Sequence, residues 1–355
     1  MTAMVMDQVK VEAFVERMLT ILNDGALVLM TSIGHRTGLF DTMATLPAAT
    51  STGISQAAGL NERYVREWLA AMVTGGIVDY DPAARTYCLP PEHAAWLTRA
   101  ASPNNLAVTA QLLPVLAAAE DGIVAAFHGG GGLPYAAYGR FHDVMAEDSG
   151  QTVVAALIDG ILPLVPGLTD ALDRGIDVLD LGCGQGRALI LMAQTFPNSR
   201  FTGYDLSHEA IATARAEAKK LGLANVEFVA ADATHLPGDG RFDLIFTFDA
   251  VHDQAHPAIV LANIRRLLKP GGVYLMQDID SATDVAENIN RPLAPFIYTI
   301  SCMHCMTVSL AQGGEGLGAA WGEQLALAML KDAGFSEVET HRLEHDIMNL
   351  YYVCR

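Results

Sequence analysis

Between Ile176 and Arg187 the chain passes from an apolar, β-rich run straight into three glycines at alternate positions, and few folds use that order. Ile176 to Leu181 reads as a strand covered on both faces. Gly182, Gly184 and Gly186 then let the backbone turn sharply and come closer to a ligand than any Cβ would permit. An acid, Asp205, closes the next strand-like run, Arg200 to Tyr204, at roughly the twenty-residue distance at which an α/β nucleotide fold sets its ribose-hydroxyl acceptor. Taken singly, the loop would serve as a strand-to-helix turn, and Asp232 further on as a helix cap. Strand, loop, acid and later strand ends in register point instead to a nucleoside-binding domain.

The spacing selects among nucleotides. A dinucleotide site needs G-x-G-x-x-G, and here Arg187 stands where the third glycine should be, which disfavours an NAD-dependent dehydrogenase. Asp180 before the loop, Asp205 and Asp232 are acids at successive strand ends. They suit a ligand rich in hydroxyl, amine and ammonium donors better than a diphosphate, and S-adenosylmethionine is such a ligand.

On these residues the sequence resembles the class I S-adenosylmethionine-dependent methyltransferases. Leu179-Asp180-Leu181-Gly182-Cys183-Gly184-Gln185-Gly186 is similar to the family's first motif, Tyr204-Asp205-Leu206-Ser207 to its second and Ala231-Asp232-Ala233 to its third. Phe242-Asp243-Leu244-Ile245 resembles the fourth strand, and Leu268-Lys269-Pro270-Gly271-Gly272 the turn into the fifth. The resemblance implies an α/β, Rossmann-like sheet with an antiparallel last strand. It implies a cofactor site made of Asp180, Gly182, Cys183, Gly184, Gly186, Asp205, Leu206, Asp232, Ala233 and Asp249, with Asp205 on the ribose and Asp232 and Ala233 at the adenine.

The N-terminal part reads as a separate, mainly helical unit. Val11, Phe14, Val15, Met18, Ile21 and Leu22 form a stripe at helical spacing, the mark of a core or a subunit interface. A second helix over 54–60 leads through Asn61, a plausible N-cap, to a third carrying Val65, Trp68, Leu69 and Met72 on one side and ending at Gly75-Gly76. Two strand-like pieces follow, Ile77 to Tyr80 and Thr86 to Leu89, joined by an Asp81-Pro82 turn. The order is that of a winged helix. A DNA-reading helix should be basic, yet Arg63 and Arg66 are matched by Glu62 and Glu67, and residues 1–100 hold seven Lys or Arg against ten Asp or Glu. The unit therefore resembles the dimerisation domain of small-molecule O-methyltransferases, which implies a homodimer and a part in closing the substrate pocket. A winged-helix regulator that binds S-adenosylmethionine without turnover is the alternative.

The net charge of −18 argues against nucleic acid and anionic membrane as partners. The first seven residues lack a basic segment followed by an apolar one, and no apolar stretch of eighteen residues is expected, so a soluble cytoplasmic protein follows. Five scattered cysteines imply no disulfide framework. The expected division is a dimerisation domain over 1–100, a helical linker with a glycine- and tyrosine-rich flap over 101–169, and a catalytic domain over 170–355 with a cap insertion at 284–318.

The reaction is expected at the end of the fourth strand, since ligands of open parallel sheets bind at the strands' carboxyl ends. His252 with Asp253 is similar to the His-Asp-Trp motif of plant-type O-methyltransferases, which implies His252 as general base, with Gln254 where that family has Trp. A rate rising through one group near neutrality would follow. The other reading is structural: His252 caps the next helix or satisfies a carbonyl. Tyr138 in the flap is a candidate cofactor contact. Phe141, Phe296, Met303, His304 and Trp321, the last opening a helix to Leu330, make a pocket for a small hydrophobic or aromatic molecule. Cys302-Met303-His304-Cys305 has no second cluster to complete a zinc site, so no metal is expected.

Overall fold

Asp7 starts the first helix by accepting hydrogen bonds from the backbone N–H groups of Val9 and Lys10. The computed structural model describes residues 6–103 and 105–355, so the first five residues of the N-terminal sequence discussed above lie outside it. The chain divides into two units, 1–114 and 115–355; the segment expected as a linker over 101–169 is shared between them.

In the first unit, helix α1 (Gln8–Arg36) buries only its C-terminal part, and Val9, Phe14, Val15, Leu19 and Leu22 stand exposed along the rest. Helices α2 (Leu39–Thr45), α3 (Ser51–Ala58) and α4 (Glu62–Thr74) pack round Phe40, Trp68, Leu69 and Met72. Asn61 caps α4, and Val65, Trp68, Leu69 and Met72 are its buried side, as the periodicity predicts. The hairpin is shorter than expected, β1 Asp79–Asp81 and β2 Thr86–Cys88. The N–H groups of Ile77 and Val78 bond back to the Met72 carbonyl and finish the helix instead of starting the strand. Arg63 and Arg66 are paired to Glu67 and Glu62, which leaves α4 without a basic face.

The second unit is a seven-stranded sheet of β3 (Asp177–Leu181), β4 (Arg200–Asp205), β5 (Val226–Ala230), β6 (Phe242–Phe248), β7 (Leu268–Ile279), β8 (Val338–His341) and β9 (Asn349–Cys354). Their order is β5-β4-β3-β6-β7-β9-β8, and β9 runs against the common direction of the other six. Apolar side chains fill both faces of the sheet, Val178, Phe201 and Leu244 on one and Leu179, Ile245 and Tyr274 on the other. This explains the nearly unbroken apolar runs of its strands. The chain winds outward from β3 in one direction to β5 and then from β6 in the other, so a crevice opens at the carboxyl ends of β3 and β6.

One sequence expectation needs correction. The last long helix is Glu323–Asp332 and begins after Trp321, because Gly322 at φ +85° breaks the chain's direction there. The helix Glu120–Gly129 runs through Phe127 into the first of the four glycines, which turn the chain only from Gly130 on. The continuous helical run Ala294–Ala311 is, by length and composition, apolar enough to cross a membrane, at a mean hydropathy of 1.3. Serine, threonine, cysteine and histidine make it uncharged without making it wholly apolar, and Ser309 Oγ ties it to the Gln254 carbonyl at 2.8 Å.

Candidate active site

The loop after β3 is built by its glycines. Gly182 (φ +82°) and Gly186 (φ +72°) occupy the left-handed region, and a Cβ on Gly186 would stand 2.4 Å from the Phe228 ring. Gly182 N–H donates to the Tyr204 carbonyl at 2.8 Å, pinning the loop to the end of β4. Gly186 is the N-cap of helix Arg187–Thr195, so Arg187 starts that helix, and its guanidinium bonds the Ala146 carbonyl at 2.7 Å.

The acids meet this loop at the strand ends. Asp205 Oδ2 accepts from Gly184 N at 2.8 Å and Oδ1 from Ser207 N at 2.7 Å, which fixes the carboxylate facing the glycines. Asp180 is buried and its Oδ1 has no hydrogen-bond partner. Burial, with the Asp205 charge added, holds its carboxyl well above the usual range. Asp249, at the end of β6, also has a buried Oδ1 without a partner and an uncommon φ of +49°. Burial and the charge of Asp278 push its carboxyl up as well. Leu206 lies 55% exposed just past Asp205, a large apolar side chain left open at the crevice. Cys183 is half-buried in the loop, its thiol pushed up by burial and the two neighbouring acids. Asp232 is exposed and caps the turn Ala233–His235 through Thr234, while Ala233 is buried. Its position at the end of β5 is the expected one, and its side chain is presently a cap.

At the end of β6 the candidate base has its partner on the neighbouring strand. His252 is buried, and its Nδ1 lies 2.7 Å from Asp278 Oδ1, not against Asp253. Asp278 ends β7 and is held by the indole N–H of Trp321 at 3.0 Å and by the Ile279 N–H at 2.8 Å. Trp321 is thus a buried residue whose indole N–H is committed to Asp278. The helix that follows starts at Pro257 with His256 in the N-cap position and no side-chain cap bond, so His252 does not sit at its cap. Burial alone would lower the His252 imidazole, but the Asp278 carboxylate and the hydrogen-bonded Cys305 thiol outweigh it and hold it well above the ordinary value. Asp249, His252 and Asp278 offer donor atoms within 4.8 Å of one another, a set that would also suit a cation.

Asp253 has another partner, the Tyr135 hydroxyl, which donates to its Oδ2. Burial raises the Asp253 carboxyl, and His252 and Tyr135 oppose that rise. The flap is seated firmly here: a Cβ on Gly132 would overlap the Thr307 carbonyl, and Leu133 N–H bonds Thr307 Oγ1 at 2.9 Å. Tyr138 is buried, its hydroxyl donating to the Met303 carbonyl. Burial pushes its phenol up to about 12. With Tyr135 and Phe141 it surrounds His304. Met303 and Phe296 are half-buried in the same helical run, whose Cys305 reaches His252. Sequence reasoning missed Asp278 and Cys305. An acid ending the fifth strand was the available signal for the first; nothing local marks the second.

Comparison with known proteins places this geometry. Residues 172–334 match the methyltransferase domain family, and residues 25–99 match the Rv2258c-like winged HTH domain. The fatty-acid O-methyltransferase of Mycolicibacterium smegmatis is 33% identical over 115 residues, which is 32% of this chain and 41% of that protein. The chain spans less than half the length of that relative. Among solved structures, the mitomycin 7-O-methyltransferase MmcR aligns with a TM-score of 0.70 at 17% identity over 98% of this chain and all of that one. Human N-acetylserotonin methyltransferase aligns with a TM-score of 0.67 at 17% identity, covering 96% and 97%. These likenesses show the fold. The fold is therefore that of methyltransferases with a Rossmann-like sheet, and the stretch that matches the methyltransferase domain family follows the stretch that matches the winged HTH domain.

Proposed function

We propose that this chain is an S-adenosylmethionine-dependent methyltransferase that methylates a hydroxyl of a small hydrophobic or aromatic molecule, with His252 as general base. The observation that carries the reading is the buried His252 to Asp278 bond of 2.7 Å at the strand ends beside the glycine loop. The residues suit the cofactor on structural grounds. The unpartnered Asp180 and Asp249 oxygens would accept from an ammonium, the Asp205 carboxylate retains lone pairs for ribose hydroxyls, and exposed Leu206 offers an apolar face to a base.

When bound, S-adenosylmethionine supplies a methyl group on a positively charged sulfur that leaves readily. The chain's own work is to position the acceptor and remove its proton. Asp278 accepts from Nδ1–H of His252 and so leaves Nε2 for the acceptor hydroxyl during turnover. The acceptor hydroxyl would give its proton to Nε2, and the Asp278 carboxylate would stabilise the imidazolium that results. Asp249 and Asp253, whose buried carboxyls are pushed up, hold protons more readily and leave Asp278 as the acid bonded to the ring.

The exposed apolar face of α1 and the paired charges of α4 support a homodimer through the N-terminal unit and not a DNA reader. Among the described residues no cysteine is in a disulfide, which suits a reducing compartment such as the cytoplasm.

Calorimetry tests the cofactor assignment. Removing the Asp205 carboxylate forfeits charge-assisted hydrogen bonds of about 1.5–3 kcal/mol each, so Asp205→Ala should bind S-adenosylmethionine at least about tenfold more weakly. Unchanged affinity refutes the assignment. Turnover that survives dialysis against EDTA supports the base mechanism, and turnover abolished by EDTA and restored by a divalent cation replaces it with a metal at Asp249, His252 and Asp278.

A further inference from the structure

The reaction above leaves His304 unexplained. Its imidazole is 1% exposed, in the π-turn Ser301–Cys305, and neither ring nitrogen has a hydrogen-bond partner. The ring lies flat on Phe141, with centroids 3.6 Å apart and planes inclined by 15°, and the edges of Tyr138 and Tyr135 close in at 4.8 and 5.2 Å. Neither phenol serves it, because Tyr138 donates to the Met303 carbonyl and Tyr135 to Asp253. Leaving a buried polar group unmade costs about 1–3 kcal/mol, so an apolar ring would fill this place more stably. Buried orphans in native proteins mark a ligand or a strained functional group.

The chemistry of the site narrows the ligand. Burial, reinforced by His252 and His142, lowers the His304 pKa to about 3, so the ring is neutral at working pH and offers one N–H donor and one acceptor nitrogen. The next residue, Cys305, is hydrogen-bonded to the His252 imidazole. One helical turn thus links two imidazoles of different duty, the base tied to Asp278, which Cys305 reaches, and the neutral ring of His304 tied to nothing. The rings round His304 favour a flat aromatic molecule.

We propose that His304 is a specificity-determining residue that hydrogen-bonds a second oxygen beside the methylated hydroxyl, which makes the substrate class aromatic hydroxyls bearing an adjacent hydroxyl or carbonyl. The proposal rests on the methyltransferase reading above. A site built to bond a polar group discriminates strongly against the analogue lacking it, because the site's own group is then left unpaired.

The experiment compares catechol, salicylaldehyde and phenol as acceptors for the parent and for His304→Phe, with His304→Leu as a second variant should the larger ring not fit. The parent should use the two ortho-oxygenated probes at a kcat/KM at least about tenfold above that of phenol. His304→Phe should raise KM for those two by about tenfold, so that their preference over phenol is lost, and leave S-adenosylmethionine affinity unchanged. Without any acceptor, the variant that folds better should melt above the parent, since it removes an unpaired buried group. A parent that does not prefer the ortho-oxygenated probes, a variant that keeps the preference, or both variants melting below the parent would each overturn the proposal. Failure of the parent to bind S-adenosylmethionine overturns the reading beneath it, and the melting comparison reports on His304 independently of that.

Discussion

At the scale of single residues, the pairing of His252 with Asp278 sets the most direct tests. His252→Ala should lower turnover by about a hundredfold to ten-thousandfold with cofactor affinity nearly intact, because general base catalysis is lost and positioning is kept. Steady-state rates with calorimetry check both halves. A base must be neutral to act, and the His252 imidazole is held well above its ordinary value, so turnover should rise with pH through a group on the alkaline side of 6.5. This moves the near-neutral profile expected from the sequence. Asp278→Asn removes the charge that raises the imidazole, so its pH profile should shift downward while maximal turnover falls through loss of the tautomer and orientation. A downward shift distinguishes this positioning role from mere loss of structure, which would lower the plateau and leave the midpoint in place.

At the scale of elements, the glycine loop joins fold and site. Gly186→Ala places a Cβ at φ +72° and within 2.4 Å of the Phe228 ring, combining backbone strain with overpacking. We expect about 1–3 kcal/mol of destabilisation in thermal or denaturant unfolding, since each effect alone is of that order. The loop, Asp205 and the strand ends were legible in the sequence because their cause is local: sheet burial writes apolar runs, and tight turns write glycine. Asp278 as partner of His252 was not legible. The two residues lie 26 positions apart and meet only because β6 and β7 are neighbours whose carboxyl ends are level. Asp253, adjacent in sequence, turns instead to Tyr135, 118 positions away.

At the scale of the whole molecule, the exposed apolar residues of α1 predict association. Phe14 and Leu22 are both 64% exposed, and Phe14→Glu with Leu22→Glu should convert a dimer into a monomer in sedimentation while the catalytic unit still binds cofactor. A parent that sediments as a monomer at micromolar concentration would remove this reading. By itself the sequence determined the class of each unit, the order of the strands' motifs, the α4 core face and the acids at the strand ends, because periodicity, capping and turn chemistry act over a few residues. Tertiary structure alone decided which acid holds His252, that Trp321 supports that acid from the core, that Cys305 reaches the imidazole, and that Tyr135, Tyr138 and Phe141 enclose an unpartnered His304. Those arrangements depend on which strands and helices become neighbours after folding, and no local propensity records that.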